Sequence, residues 1–454
     1  MLQRKILKHI EDFYKSNPGK ALMIIGARQV GKSYIIEKYA QAHYKSVIKM
    51  DFIENPDYIS IFENSAGADD IILRLSALFG EHMIPGETII FFDEVQECKE
   101  LITQIKYLVQ DGTYDYILSG SLLGTVFKDI VSAPVGYMDI IEMYPLDFEE
   151  FAWANGVGEN VINALYKAFE QKIPVDSFIH KRMISLFELY LIVGGMPAAV
   201  SVYLETKNLR KVADAQSAII RLYKRDISKY DETNRLYLNE IFDLIPSELN
   251  AKNKRFILKN LNENARFDKY YDSFLWLKNA GVALTANVVD EPKIPLMLSK
   301  SQNLFKLFSS DVGLLAAQYG NEIQLKILQH ETTMNFGSIY ENAAAQELTA
   351  HGYTLYYYNS RKFGELDFVI EENGRILPIE IKSGKNYYRH NAIDNILDYP
   401  NYAINEGYVF CNGNIEVAGK VTYFPIYMLM FLHKKELPDD IIYNSDFSDL
   451  NDKV

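Results

Sequence analysis

Short apolar runs alternate with longer segments of helical periodicity over the first third of the chain. The runs predict five strands, at residues 21–25, 46–52, 88–92, 114–119 and 138–144. Segments with a helical repeat of apolar positions, such as residues 34–43, lie between them. Strands that alternate with helices are typical of a parallel sheet covered by helices on both faces. The pattern therefore predicts a parallel αβα sandwich.

The middle of the chain has a mainly helical pattern from residue 147 to residue 230, interrupted by the turn sequence Gly194-Gly195-Met196-Pro197. Beyond it, amphipathic segments predict three helices, at residues 237–244, 253–261 and 268–277. Apolar runs then predict two strands, at residues 282–289 and 294–298. Three helices and a β-hairpin are the elements of a winged helix.

The last part of the chain returns to an α/β pattern, with a predicted helix at residues 339–350. Three strands are predicted after it, at residues 354–358, 365–370 and 376–382. An acidic stretch follows residue 435, and we expect this tail to be frayed.

Composition and charge restrict the classes of function. The 454 residues are 48% apolar and 24% charged, which is typical of a packed protein with several domains. The net charge of −13 excludes a protein that binds nucleic acid with its whole surface. Any nucleic-acid contact must come from a local patch, and the basic charge is concentrated between residues 205 and 306, where 18 Lys and Arg stand against 13 Asp and Glu.

The expected location is the cytoplasm. Two cysteines far apart in sequence, Cys98 and Cys411, give no basis for a disulfide framework and fit a reducing compartment. The N-terminus carries charges where a signal peptide is apolar, and no apolar run is long enough to span a membrane.

The first candidate site is a glycine-rich loop between a predicted strand and a predicted helix. It fits the pattern G-x-x-x-x-G-K-S and consists of Gly26, Ala27, Arg28, Gln29, Val30, Gly31, Lys32 and Ser33. In such loops backbone N–H groups surround the phosphates of ATP at a helix N-terminus. We expect Lys32 to contact the β- and γ-phosphates and the Ser33 hydroxyl to bind Mg²⁺. The alternative is a glycine-rich turn without a ligand.

An apolar strand that ends in two acids, Asp93 and Glu94, supplies the second half of this site. We expect Asp93 to hold Mg²⁺ and Glu94 to polarise the attacking water; the alternative is that the two acids cap the next helix. Hydroxyls also follow the strand at 114–119. Ser121 is our first candidate for a polar group near the γ-phosphate, and Ser119 is the second. The alternative is that these serines form a turn, as serines commonly do after a strand.

The second candidate site lies on a predicted C-terminal hairpin. Asn373-Gly374 between two strands predicts a type I′ turn, which places Asp367 opposite Glu380. Lys382 shares their face because side chains alternate along a strand. Opposed carboxylates favour a cation, and we expect Mg²⁺ or Mn²⁺ to bind Asp367, Glu380 and the Ile381 carbonyl. The alternative is a charged surface that gathers these residues by accident.

The first half of the chain resembles the AAA+ superfamily of ATPases. More narrowly, the chain resembles a bacterial and archaeal group in which a P-loop ATPase precedes a winged helix and a restriction-endonuclease-like domain of unassigned function. The segment from Tyr144 to Phe151 and the sequence Gly194-Gly195-Met196-Pro197 are similar to landmarks of that group. A departure is Gly136-Tyr137, where the group leads us to expect Gly-Arg. Arg225 is the candidate for an arginine at the γ-phosphate or between subunits, and a solvated or salt-bridged surface arginine is the alternative.

The C-terminal constellation resembles that of PD-(D/E)XK nucleases, in which Asp367, Glu380 and Lys382 would be catalytic and Glu341 would be the acid on the preceding helix. The expected fold class is thus a multidomain α/β protein with a winged-helix middle and a restriction-endonuclease-like C-terminal domain. The expected domains are an ATPase core, a helical lid, a winged helix, a nuclease-like domain and an acidic tail, at residues 1–150, 151–230, 231–324, 325–435 and 436–454.

The function expected from the sequence is Mg²⁺-dependent ATP hydrolysis coupled to cleavage of DNA, with Lys32 and Glu94 catalytic at the ATP site. DNA is the expected partner of the winged helix, near Lys269, Tyr270, Trp276 and Lys278, although winged helices also serve as spacers. The alternative is a nucleotide-controlled switch in which the C-terminal domain binds a partner without cutting it. From residue 331 to residue 454, 18 acidic residues stand against 10 basic residues, and this acidic balance favours the alternative. A homo-oligomer is also compatible with the resemblance.

Overall fold

A computed structural model describes residues 2–16, 19–121, 136–230, 235–251, 254–261, 267–320, 324, 326–327, 336–384 and 386–435. The expected acidic tail at 436–454 lies outside them. Of the helices described, none is long and apolar enough to cross a membrane.

The N-terminal part contains a five-stranded parallel sheet in the order β2-β3-β4-β1-β5. Its strands are β1 Ala21–Ile25, β2 Ser46–Asp51, β3 Thr88–Asp93, β4 Asp115–Gly120 and β5 Met138–Glu142. Its helices are α1 Ile6–Ser16, α2 Lys32–His43, α3 Ala68–Phe79 and α4 Lys99–Asp111. The predicted parallel sheet is confirmed.

The continuous apolar runs of these strands are explained by burial on both faces of the sheet. In β1, Leu22 and Ile24 point into one core, whereas Ala21 and Met23 point into the other. Side chains alternate between the faces of a strand, so a strand covered on both sides must be apolar at every position. This arrangement places the carboxyl ends of β1 and β3, where the candidate loop and acids begin, near one edge of the sheet.

A run of helices follows the first sheet, as the sequence predicts. They are α5 Phe148–Ala154, α6 Glu159–Gln171, α7 Ser177–Val193, α8 Pro197–Thr206, α9 Leu209–Tyr230, α10 Arg235–Asn250 and α11 Phe267–Asn279. Asp147 caps α5 by accepting a hydrogen bond from the Glu150 N–H at 2.8 Å. Pro197 opens α8, where its missing N–H costs no helical hydrogen bond.

The second sheet has eight strands in the order β12-β13-β11-β10-β9-β8-β6-β7. The strands are β6 Ala283–Val289, β7 Lys300–Ser309, β8 Tyr356–Ser360, β9 Gly364–Glu372, β10 Arg375–Ile381, β11 Gly407–Cys411, β12 Glu416–Ala418 and β13 Val421–Pro425. The associated helices are α12 Val312–Tyr319, α13 Gly337–Ala350 and α14 Asn391–Leu397.

The predicted register of the β9–β10 hairpin is confirmed from the turn to its fifth pair. Arg375 lies opposite Glu372, and the pairing continues without a shift to Ile379 opposite Phe368. The turn residues Asn373 and Gly374 both have positive φ, at 49° and 70°, as a type I′ turn requires.

The predicted strand at 294–298 is wrong. Pro292 and Pro295 have no N–H to donate to a sheet, and a 3₁₀ turn at Leu296–Ser299 occupies the segment. The strand that forms a hairpin with β6 is instead β7. The predicted helix at 253–261 is also not found over its described part, where a 3₁₀ turn at Leu258–Asn260 is present.

The hairpin formed by β6 and β7 does not project as a separate wing. β6 pairs in parallel with β8, so the hairpin is the edge of the C-terminal sheet. The expected boundary between residues 324 and 325 therefore divides one sheet. On α11, Tyr270 and Trp276 are buried and Lys278 is exposed.

Candidate functional site

The candidate phosphate-binding loop joins β1 to α2 and contains three residues with positive φ. These are Gly26, Gln29 and Gly31, with φ of 144°, 69° and 97°. A Cβ on Gly26 would lie 2.1 Å from the carbonyl oxygen of Met143, so the loop can pass this point only with glycine. Gly31 immediately precedes the helix, which directs the first N–H groups of α2 toward the loop.

Lys32 is buried at the first position of α2, and its ammonium lies inside the loop. Its Nζ donates to the carbonyl oxygens of Gly26 at 3.0 Å and Ala27 at 2.9 Å. Burial lowers the pKa of Lys32 to about 8, although the nearby carboxylates of Glu94 and Asp93 act in the opposite direction. The structure thus brings Lys32 and the two predicted acids together. Ser33 is half-buried on the next position of the helix.

Asp93 and Glu94 at the end of β3 are each held by a hydroxyl from the end of β4. Ser119 donates a hydrogen bond to Asp93 Oδ1, and the Ser121 hydroxyl donates to Glu94 Oε2 at 3.0 Å. Asp93 Oδ2 also lies 3.4 Å from Lys49 Nζ. Ser121, our candidate for a polar group near the γ-phosphate, therefore contacts Glu94, the acid that we expect to polarise the attacking water.

A second side chain from outside the motif also orients Glu94. Gln96 donates from Nε2 to Glu94 Oε2 at 2.6 Å and accepts from the Ser121 N–H at 3.2 Å. Glu94 itself has a positive φ of 57°, so the backbone leaves the strand conformation at this residue. Gln96 was not predicted; its position two residues after the acid was the one available signal.

The loop is braced by residues distant in sequence that no pattern predicts. Arg4 donates to the carbonyl oxygens of Val30 at 2.9 Å and Tyr144 at 2.6 Å, and pairs with Glu150 at 3.0 Å. The chain segment before β1 is thereby fixed to the loop and to the first turn of α5.

Helix α9 braces the loop from the other side. Arg28 forms an ion pair with Asp226 at 2.6 Å, and the Tyr223 hydroxyl donates to the Arg28 carbonyl at 3.1 Å. Arg225, our candidate for an arginine at the γ-phosphate, is exposed on the same helix. Tyr137, at the position where an arginine was expected, accepts a hydrogen bond from Gln110 at 2.6 Å.

An apolar cavity of about 320 Å³ lies beside the start of α2. Its walls include Leu2, Val30, Tyr34, Met143 and Pro197. The cavity is large enough for a planar aromatic group and adjoins Gly31, the last residue of the loop.

The four predicted residues of the C-terminal constellation do converge. Glu341 on α13, Asp367 on β9 and Glu380 on β10 are all buried. Asp367 Oδ2 accepts from the Ile381 N–H at 2.9 Å, and Lys382 Nζ lies 2.8 Å from Glu380 Oε2. We call Glu341, Glu365, Asp367 and Glu380 the acidic cluster.

Two further lysines, which sequence reasoning missed, enter the acidic cluster. Lys254 pairs closely with Glu341 and lies 3.9 Å from Asp367 Oδ1. Lys306, fully buried on β7, lies 2.7 Å from Glu365 Oε1 and 3.9 Å from Glu341 Oε2. Neither has a sequence signal, because both come from segments far from the hairpin.

Burial and mutual repulsion change the acidity of this cluster. Burial, the larger cause, and repulsion by the Asp367 carboxylate raise the pKa of Glu341 to about 7 and the pKa of Glu380 to about 8. The pKa of Asp367 is lowered; its burial is outweighed by the ammonium groups of Lys254, Lys306 and Lys382.

The arrangement does not fit the metal site expected from the sequence. Within the described part of the chain, no group of three or more His, Cys, Asp and Glu side chains is placed to hold a metal ion. Asp367 and Glu380, the predicted ligands, instead accept from a backbone N–H and a lysine. Lysine ammonium groups balance the charge that the metal was expected to balance.

Three family models match successive parts of the chain. Residues 18–152 match an AAA domain, residues 184–325 match a domain of unknown function (DUF8612), and residues 336–429 match another domain of unknown function (DUF4143). The eight-stranded sheet takes β6 and β7 from the second region and its other strands from the third.

Two solved structures are similar to parts of the chain. A Walker-type ATPase of Pyrococcus abyssi is 16% identical, with a TM-score of 0.42 over 70% of this chain and 96% of that one. PCH-2 of C. elegans is 13% identical, with a TM-score of 0.25 over 46% of this chain and 63% of that one. No curated protein matches the sequence.

Proposed function

We propose, from a P-loop ATPase domain of the AAA family at residues 18–152, that this protein binds and hydrolyses ATP. The observation that carries the proposal is the position of the buried Lys32 ammonium, inside the loop and near Asp93 and Glu94. A cation at the N-terminus of a helix is suited to the β- and γ-phosphates. The apolar cavity beside Gly31 is the proposed place of the adenine base.

In the proposed mechanism, the chain's own groups position the reactants. Lys32 exchanges its loop carbonyls for phosphate oxygens, and Glu94, oriented by Gln96 and Ser121, accepts the proton of the attacking water. Ser33 and Asp93 would hold Mg²⁺, which neutralises charge on the phosphates. Ser119 fixes the Asp93 carboxylate for this task.

Two substitutions test the nucleotide site. Lys32→Ala should abolish both ATP binding and turnover, because the phosphate charge loses its cation. Glu94→Gln should retain binding of a fluorescent ATP analogue and lose roughly 100-fold or more in turnover, the usual contribution of a general base. Lys45→Ala, which removes an exposed lysine, is the control and should match the wild type. Turnover retained in Lys32→Ala would refute the assignment.

The metal-dependent cleavage of DNA that the sequence predicts for the C-terminal domain is a second candidate function, although the acidic cluster is not placed to hold a metal ion among the residues that the structure describes. The convergence of Asp367, Glu380, Lys382 and Glu341 supports it. The lysines that neutralise the acidic cluster support the alternative, a nucleotide-controlled switch that binds a partner without cutting it.

One assay separates these two possibilities. ATP turnover is measured with and without single- and double-stranded DNA, and the DNA is then analysed on gels after incubation with Mg²⁺ or Mn²⁺. Cleavage that is lost in the Asp367→Ala, Glu380→Ala double variant supports the nuclease. Intact DNA, together with turnover that does not respond to DNA, supports the switch.

A further inference from the structure

A small cavity lies between α11 and the β6–β7 hairpin, in the part of the chain where basic residues are concentrated. Four of its lining residues lie on one face of α11, at intervals of three or four positions: Phe267, Tyr271, Phe274 and Lys278. None of the described residues around the cavity belongs to the candidate phosphate-binding loop or to the acidic cluster. The cavity is therefore a third candidate site.

The size and the walls of the cavity suit one planar ring. Its volume is about 140 Å³, whereas a site for a drug-sized ligand usually takes roughly 300 Å³ or more. The ring centres of Phe274 and Phe305 are 4.8 Å apart, and the ring of Phe267 lies 6.0 Å from that of Phe305. Tyr271, which is 46% exposed, adds a ring that solvent can reach. A flat ligand can stack on such aromatic side chains.

Hydrogen-bonding side chains lie beside the aromatic rings. Thr285 and Asn287 are two residues apart on β6, so their side chains share one face of the strand. Both are half-buried, and Asn287 lies opposite Phe305 in the hairpin. A hydroxyl and an amide offer both donors and acceptors. The ring that fits best is therefore one with polar groups at its edge, as in a nucleobase.

Two lysines at the cavity favour an anion. Lys278 lies in the last turn of α11, and Lys300 begins β7. Burial, the larger cause, and repulsion by the Lys278 ammonium lower the pKa of Lys300. Neither lysine has an ion-pair partner among the described residues, whereas Lys293 in the same region pairs with Glu291 at 2.8 Å. A phosphate would relieve the repulsion between the two ammonium groups.

A nucleotide in a single strand combines the two chemical features that the cavity selects, a polar planar ring and a phosphate beside it. The bases of a duplex are paired and stacked, so none can enter a cavity without leaving the helix. The bases of a single strand are free to stack on aromatic side chains. An acidic peptide also supplies negative charge, but only its occasional aromatic residue supplies a ring, whereas every nucleotide supplies both.

We propose that this cavity binds one base of a single-stranded nucleic acid, stacked against Tyr271 and the phenylalanines, while Lys278 and Lys300 contact the neighbouring phosphates. The contact differs from the one expected of a winged helix, because Tyr270 and Trp276 are buried and the hairpin is part of the C-terminal sheet. Binding of the strand requires neither ATP hydrolysis nor cleavage, so the failure of either function leaves the proposal standing.

The test is the binding of a fluorescent oligothymidine of about 12 nucleotides to the full chain. Fluorescence anisotropy is measured in EDTA, so that no metal-dependent reaction consumes the strand. Tyr271→Ala should weaken binding roughly tenfold because a stacked base loses its partner, whereas Tyr271→Phe keeps the ring and should bind as the wild type. The control is Tyr107→Ala, which removes a tyrosine of similar exposure, 43%, from α4 and should also bind as the wild type.

The dependence of binding on salt tests the two lysines. Lys278→Met and Lys300→Met should each reduce the slope of log K against log salt concentration by about 0.7, the value for one phosphate contact with a single strand. Lys293→Met is the control, because its ammonium is already paired with Glu291, and it should keep the wild-type slope.

A measurement on the wild type covers the case in which a variant fails to fold. A strand that carries iodouracil should crosslink on irradiation to α11 or to the β6–β7 hairpin, as read by mass spectrometry. Crosslinks confined to other segments would overturn the proposal. It is also overturned if folded Tyr271→Ala binds the strand as tightly as the wild type, or if both lysine variants keep the wild-type slope.

Three competing ligands give the remaining outcomes. A duplex of the same length that binds more tightly than the single strand would overturn the proposal. Thymidine monophosphate that displaces the strand at equal concentration would assign the cavity to a free nucleotide instead. A glutamate-rich peptide that binds where oligothymidine does not would assign it to an acidic protein partner, and either of these results also overturns the single strand.

Discussion

At the scale of single residues, burial sets the charge of the groups that both candidate sites depend on. Burial lowers the pKa of Lys32 and raises the pKa of Glu380, each to about 8. A phosphate beside Lys32 would favour the charged form of Lys32. The Lys32 side chain is therefore expected to take up a proton when the loop binds a phosphate.

The raised pKa of Glu380 predicts a dependence of stability on pH. A carboxyl whose pKa is higher in the folded than in the unfolded chain binds its proton more tightly when folded. Its contribution to the free energy of unfolding is therefore present below the ordinary pKa of 4.5 and is lost as the pH rises through about 8. Glu380→Gln should show a smaller loss of stability between pH 5 and pH 8.

Urea unfolding at the two pH values measures this difference. The control is Glu63→Gln, which changes an exposed carboxyl, and it should keep the wild-type dependence on pH. Equal losses of stability in both variants would show that the Glu380 proton does not contribute.

At the scale of elements, the turn between α7 and α8 joins the N-terminal part to the C-terminal part. The Leu146 N–H donates to the Gly195 carbonyl at 2.7 Å, and the Gly195 N–H donates to Asp311 Oδ2 at 2.6 Å. Asp311 in turn caps α12 through the Leu314 N–H at 2.9 Å. The backbone of Gly195 is thus hydrogen-bonded both to the segment before α5 and to the start of α12. This close approach leaves no room for a side chain and explains the glycine at this position.

Gly195→Ala tests the closeness of this junction. A Cβ at Gly195 would lie 2.0 Å from the Leu146 carbonyl oxygen, so backbone must move. We expect the free energy of unfolding to fall by about 1–3 kcal/mol, the usual cost of overpacking. Gly158→Ala is the control, because its Cβ would meet no atom within 4 Å. Equal thermal stability of the two variants would contradict the packing described.

The elements that could be predicted from the sequence are those with local causes. The apolar runs of β1 and β3 and the Asn373-Gly374 turn contain their own signals, and each was placed within one or two residues. The pairing of β6 with β8 has no such signal, because the two strands lie far apart in sequence. Lys254 and Arg4 escaped prediction for the same reason: their partners are set by the tertiary fold.

At the scale of the whole molecule, the candidate phosphate-binding loop and the acidic cluster are connected by one hairpin. Gly281, just before β6, packs against Ala27, since a Cβ on Gly281 would lie 3.0 Å from the Ala27 nitrogen. β6 pairs with β7, which carries Lys306 into the cluster. A displacement of the loop by nucleotide would therefore be transmitted to β6, and through it to Lys306.

Gly281→Val tests the first contact of this connection. The added side chain should displace the loop and weaken ATP binding by roughly tenfold, because small misplacements of binding groups have large effects. Gly419→Val is the control; its φ of 62° is close to the 67° of Gly281, but its Cβ would have no neighbour within 4 Å. Binding of a fluorescent ATP analogue gives both affinities, and equal values would exclude a role of this contact.

The membership of β6 and β7 in the C-terminal sheet also has a consequence for biosynthesis. The ribosome releases the hairpin well before β8, so one side of β6 has no partner until the later strands have been translated. An unpaired strand edge readily joins other chains. A gene fragment that ends between these strands should therefore give an aggregating product, and fragments intended for expression of the C-terminal domain should begin ahead of Ala283.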